Sequence, residues 1–191
     1  MLRLRYDTPG AWSELVLADL DAFLCDHAQN ERKVAHSAMV LVRQNPKRVE
    51  LVDAMIELAQ EELEHFRQVH ELLKARGVTL GFDGPDPYMN ALLALVRKGD
   101  AGHALLDRLL VFGIVEARGC ERFRMLTEAL PPGDLQDFYA ELTRCEARHH
   151  GMFVRLARSF FPHEEVAARL ELLLEAEAGI VRGLPLRPAL H

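Results

Sequence analysis

A chain of 191 residues with a formal charge of −6 has the length of one packed domain, and it is too acidic to act as a general nucleic-acid coat, though a local basic patch stays open. Its three cysteines, Cys25, Cys120 and Cys145, show no C-x-x-C spacing, which argues against a zinc ribbon or a disulfide framework and fits a reducing cytoplasm. The start, Met1-Leu2-Arg3-Leu4-Arg5-Tyr6-Asp7, lacks the apolar core of a signal peptide, and no apolar run approaches the ~20 residues that span a bilayer.

Glycine and proline divide the chain into long helical stretches. After Thr8-Pro9-Gly10 the spacing predicts a helix from about Ala11 to Asn45, bent near Asp19 and stopped by Asn45-Pro46. A second helix is expected from about Lys47 to Arg76, closed by Gly77. Gly77 to Pro87 is rich in turn residues and precedes a short helix near Tyr88–Arg97. A third long helix is expected from about Ala101 to Leu130. Pro131-Pro132-Gly133 breaks it, and Asp134 is the candidate N-cap of a fourth, ending near Phe160. His163 to Ala178 reads as a fifth, shorter helix, and the tail from Gly179 as loosely held. With little strand alternation the expected class is all-α. The specific expectation is a single-domain ferritin-like four-helix bundle with a long crossover connection and extra short helices, its core at about 11–160.

Two Glu-x-x-His pairs stand out: Glu62-Leu63-Glu64-His65 and Glu146-Ala147-Arg148-His149. A lone glutamate lies about thirty residues before each, Glu31 and Glu116. One glutamate from each of two helices and a Glu-x-x-His from each of the other two is the ligand set of dimetal carboxylate bundles. A single such motif arises by chance; the matched order of six residues carries the argument. Each candidate also lies in an apolar stripe. Leu24, His27, Ala28, Val34, Ala35 and Ala38 share a face with Glu31, and Met55, Leu58, Phe66 and Val69 with Glu62. Leu109, Phe112 and Phe123 accompany Glu116; Tyr139, Leu142 and Phe153 accompany Glu146. A carboxylate placed in a core costs several kcal/mol unless it is paired or binds a metal. Two divalent ions balance four carboxylates, and carboxylate with imidazole suits iron or manganese. In this arrangement Glu62 and Glu146 bridge the ions, Glu31 and Glu116 are terminal ligands, and His65 and His149 bind one ion each. Glu61 is a candidate acceptor for the second nitrogen of His65; the matching residue before Glu146 is Cys145. For His27, one turn before Glu31, an outer-shell role and ordinary packing are both open.

The stretches Asp26-His27-Ala28-Gln29-Asn30-Glu31-Arg32-Lys33, Glu61-Glu62-Leu63-Glu64-His65-Phe66, Glu116-Ala117-Arg118-Gly119-Cys120-Glu121-Arg122-Phe123 and Cys145-Glu146-Ala147-Arg148-His149 resemble the signatures of the MiaE-type tRNA hydroxylases, over roughly residues 10 to 160. The resemblance implies a non-haem di-iron monooxygenase. Such an enzyme hydroxylates the isopentenyl group of 2-methylthio-N6-isopentenyladenosine beside the tRNA anticodon. It uses dioxygen and external electrons, supplied by a ferredoxin or flavoprotein reductase. It implies Glu31, Glu62, His65, Glu116, Glu146 and His149 as the catalytic metal ligands, and all six residue types are present.

An apolar prenyl group calls for apolar walls, for which Phe66, Phe112, Phe123 and Phe153 are candidates beside their plainer role as core. A splayed anticodon base calls for a basic rim to hold its phosphates. Arg32, Lys33, Arg118, Arg122, Arg144, Arg148 and Arg155 lie near the ligands in sequence, with Arg118, Arg122, Arg148 and Phe112 the expected substrate contacts. Three other readings use the same residues differently: a ferritin-like iron oxidase or storage protein, a manganese catalase, and a metal-free helical interaction module.

Overall fold

Helix boundaries follow the caps and breakers. The structure is a computed structural model and describes residues 3–191, so Met1 and Leu2 of the N-terminal stretch lie outside the described residues. Helix α1 (Ala11–Ala18) ends at Asp19, whose side chain accepts from the Ala22 N–H at 3.1 Å and starts α2 (Leu20–Gln44). The expected bend is therefore a break, made by an N-cap that satisfies one of the orphan amides of α2. Asn45 closes α2, with its backbone and side-chain N–H groups both on the Leu41 carbonyl at 3.0 Å.

Helix α3 (Val49–Ala75) stops at Gly77, where φ is +71°. Val78 N–H reaches the Leu73 carbonyl at 2.9 Å and Gly77 N–H the Lys74 carbonyl at 3.0 Å, the paired bonds of a Schellman end. Asp86 caps α4 (Pro87–Ala94) through the Met89 N–H at 2.9 Å, with Pro87 in the first turn, where its missing donor costs nothing. Asp100 caps α5 (Ala101–Ala129) through the His103 N–H at 2.7 Å. Helix α6 (Asp134–Phe160) is entered through Gly133, at φ 152°, so Asp134 is its first helical residue and not the cap. Helix α7 (His163–Gly183) runs past the expected end at Ala178. No strand occurs among the described residues.

The chain divides into two compact units. One comprises Leu15–Pro85 with Arg187–Leu190, and in it α2 packs along α3. Leu24, Leu41, Leu51, Met55, Leu58, Val69 and Leu73 are buried on its helix faces, each worth about 1.5–3 kcal/mol on transfer from water. The tail is held here, not loose: Leu190 N–H donates to Asp26 Oδ2 at 2.7 Å.

The other unit comprises the residues up to Glu14, Asp86–Leu186 and His191. Here α5 packs along α6 and also against α7. Helix α5 is buried on almost every face from Leu105 to Phe123, as a central helix must be. Gly113 permits its approach to α6: an added Cβ would meet Phe153 Cβ at 3.3 Å. His150 is buried at the same crossing, with Nδ1 3.1 Å from the Gly113 carbonyl oxygen. At the chain end the His191 ring stacks on Tyr88, centroids 5.0 Å apart.

Candidate metal centre

In the α2–α3 unit, α2 supplies Glu31, and α3 supplies Glu62 and His65 from adjacent turns of one face. All three are at most 7% exposed. One ligand atom from each lies within 4.8 Å of the others. His65 Nδ1 is 3.3 Å from Glu62 Oε2 and 3.8 Å from Glu31 Oε2. The other oxygen of Glu31, Oε1, lies 2.5 Å from Nε2 of His27, a histidine with no exposed surface. Glu61 is exposed, unlike the outer-shell partner of His65 expected of it.

The α5–α6 unit repeats the pattern. Helix α5 supplies Glu116, and α6 supplies Glu146 and His149, all at most 5% exposed. Their ligand atoms again lie within 4.8 Å of one another. His149 Nδ1 is 3.4 Å from Glu146 Oε2, and that buried oxygen accepts no hydrogen bond from the described residues. A buried carboxylate oxygen left this way is costly, and a cation would remove the cost. Each triad offers two carboxylates and one imidazole, a donor set matched in charge and hardness to one divalent iron or manganese ion. The nearby Cys120 adds no thiolate: burial, and then the Glu146 carboxylate, push its pKa up, and Sγ donates to the Thr143 carbonyl at 3.4 Å.

Burial of a carboxylate on an apolar stripe is not by itself a metal signature, and this unit shows the alternative twice. Glu177 of α7 is fully buried and takes Arg118 Nε at 2.9 Å, Arg118 Nη2 at 3.0 Å and the Tyr88 hydroxyl at 3.0 Å. Asp107 of α5 is fully buried and clamped by Arg97 and Arg169, each within 3 Å. Both are neutralised by guanidinium groups. The sequence does not mark them, because their partners come from other segments of the chain.

This alters the expected substrate contacts. Arg118 has no exposed surface; besides Glu177 it bonds Glu121, the Thr8 hydroxyl at 3.1 Å and the Tyr6 carbonyl at 2.8 Å. Arg122 is buried beside it, with Nε 3.3 Å from the Thr8 hydroxyl and its guanidinium 5.3 Å from the centre of the Trp12 ring. Burial, reinforced by the Arg118 charge, lowers the Arg122 pKa to about 10. The two do share a face, but it points into the protein, so neither belongs to a basic rim. Arg148 is exposed, with Nη2 3.2 Å from Cys145 Sγ. Arg32 and Lys33, beside Glu31 in sequence, reach Asp83 at 2.9 and 3.3 Å. Arg144 is exposed and pairs with Glu141, and Arg155 is exposed. Phe112 is half-buried, its ring 5.7 Å from that of Phe153; Phe123 and Phe153 are core, and Phe66 stacks on His70.

Seven helices among the described residues, two pairs of which bury Glu–Glu–His triads, define the class: a ferritin-like protein whose carboxylates and imidazoles fit metal ions. Comparison with known proteins narrows it. A solved structure described as "Protein 43 with aldehyde deformylating oxygenase activity from Synechococcus" matches 100% of this chain and 96% of its own, with a TM-score of 0.92 and 38% identity. Residues 2–191 match the family model described as tRNA-(MS[2]IO[6]A)-hydroxylase (MiaE), and the chain belongs to that family. A tRNA 2-(methylsulfanyl)-N(6)-isopentenyladenosine(37) hydroxylase of Pseudomonas putida is 37% identical over 92% of this chain and 84% of its own length. A protein of the same name from Salmonella typhimurium is 35% identical over 82% of this chain, which spans 56% of that relative.

Proposed function

We propose that the protein is a di-iron monooxygenase that hydroxylates the isopentenyl group of 2-methylthio-N6-isopentenyladenosine beside the anticodon of tRNA, in the cytoplasm. The observation that carries this reading is 37% identity, over 92% of the chain, to a relative bearing that activity in its name. The two buried triads support it from the side of chemistry. No helix among the described residues is long and apolar enough to cross a membrane.

In this reading residues 1–191 act as one ferritin-like domain. Glu31, Glu62 and His65 would hold one divalent ion, and Glu116, Glu146 and His149 the other. Four carboxylates balance two divalent ions in charge. When bound, the iron pair supplies activation of dioxygen, with electrons delivered by a ferredoxin or flavoprotein reductase. The chain supplies positioning and exclusion of water. Phe112, half-buried beside Phe153, gives the prenyl group an apolar wall. Arg148, Arg32 and Lys33 give the phosphates of the splayed loop their basic contacts.

The Synechococcus structure favours one second reading, in which the same ligands act on an aldehyde. One experiment separates the two. Iron-loaded protein receives a chemical reductant, dioxygen, and either tRNA bearing the prenylated adenosine or a long-chain aldehyde. Mass spectrometry of the nucleosides is expected to show one added oxygen, absent with Glu62→Ala. Conversion of the aldehyde with unaltered tRNA would select the second reading.

A further inference from the structure

We infer that His27 is a positioning residue for Glu31: its Nε2–H donates to Oε1 and leaves Oε2 as the oxygen that faces the metal. The inference rests on the di-iron reading above and adds to it a difference between the two ions.

The hydrogen bond is local to α2. His27 lies one turn before Glu31, and its side chain has no exposed surface. Nε2 is 2.5 Å from Oε1, a short, charge-assisted separation. Donation from Nε2 requires the tautomer with its hydrogen on that nitrogen. The Phe23 ring, 5.8 Å away between centroids and tilted by 34°, packs against the imidazole and limits its rotation. Oε2 of the same carboxylate is turned toward the triad, 3.8 Å from His65 Nδ1. One oxygen thus serves the outer hydrogen bond and the other would serve ligation. A carboxylate held this way would offer one atom to an ion, with part of the entropy of ordering it met in advance.

The other half lacks this device at the matching place. Four residues before Glu116 stands Phe112, which has no donor and packs on Phe153. The ion held through Glu31 should therefore depend on His27 and the other should not.

The test is anaerobic titration of the full chain with Co(II), read by visible absorption, with helical content checked by circular dichroism. Wild type is expected to bind two equivalents. His27→Phe keeps ring volume but removes the donor, and should weaken one equivalent by about 10–100-fold while sparing the other. His27→Gln, whose amide nitrogen reaches a similar position, should recover most of that loss. His27→Leu is the second donor-free variant should His27→Phe fail to fold. Unchanged affinity in a folded donor-free variant would overturn the inference. So would His27→Gln losing the equivalent outright, because His27 would then be a ligand. A wild-type chain that binds no metal would overturn the di-iron reading, and this inference with it.

Discussion

In the α2–α3 unit the lone glutamate is steadied from one turn away, by His27 on the same helix. In the α5–α6 unit that turn carries Phe112, and the helix bearing Glu116 is braced from a distance. Arg118 reaches Glu177 of α7, and Asp107 meets Arg97 from the α4–α5 connection and Arg169 of α7. The same order of candidate ligands thus rests on local support in one half and on tertiary ion pairs in the other. The α5–α6 unit also shows two fates for a buried carboxylate. Glu177 and Asp107 are neutralised by arginine, whereas Glu146 faces a histidine and keeps an oxygen without a hydrogen bond.

The largest effect should come from the ligands. Glu62→Ala is expected to lower hydroxylation at least about a thousandfold while circular dichroism stays helical, because a lost metal removes the chemistry and not the bundle. Full activity in that variant would end the assignment. Next comes the long-range brace. Arg118→Met strands the Glu177 carboxylate in the interior and should cost about 3–5 kcal/mol, or roughly 10 °C in Tm, by thermal and urea unfolding. Loss of tRNA affinity with unchanged stability would instead restore Arg118 to the rim.

Asp107→Asn should cost less, about 3 kcal/mol, because Arg97 and Arg169 both keep some contact with water. Burial raises the pKa of Asp107, but hydrogen bonds from Arg169 and Arg97 outweigh burial and hold it below its usual 3.8. The folded state therefore takes up this proton at lower pH than the unfolded chain. Its stabilisation is complete above the unfolded value and is lost as pH falls through the folded one. Wild type should show this acid limb in urea unfolding, and Asp107→Asn should lack that part of it. The smallest effect belongs to the surface: Arg148→Ala should weaken tRNA binding a few-fold and reduce the salt slope of binding by about one.

Much of this was legible in the sequence, and the exceptions share a cause. The six candidate ligands are recognisable because helical spacing is local: Glu-x-x-His puts both side chains on one face whatever lies around it. The helix end at Gly77 is legible for the same reason. At Asp19 the sequence indicates only a bend, although the side chain caps α2, and Gly133 replaces Asp134 as the entry to α6. Arg118 and Arg122 were placed correctly on one face, but which way that face points is decided by Glu177, 59 residues away, and by Thr8. No local pattern carries that information. His27 is legible as a neighbour of Glu31, yet its hydrogen bond depends on a side-chain orientation that the spacing does not give.

The most direct test of the central claim is an iron count on the full chain, loaded anaerobically with 57Fe and measured by elemental analysis and Mössbauer spectroscopy. Two irons per chain in unequal environments, with one of the two missing in His149→Ala, is the result the two unlike halves predict. One iron per chain, or none, would contradict it.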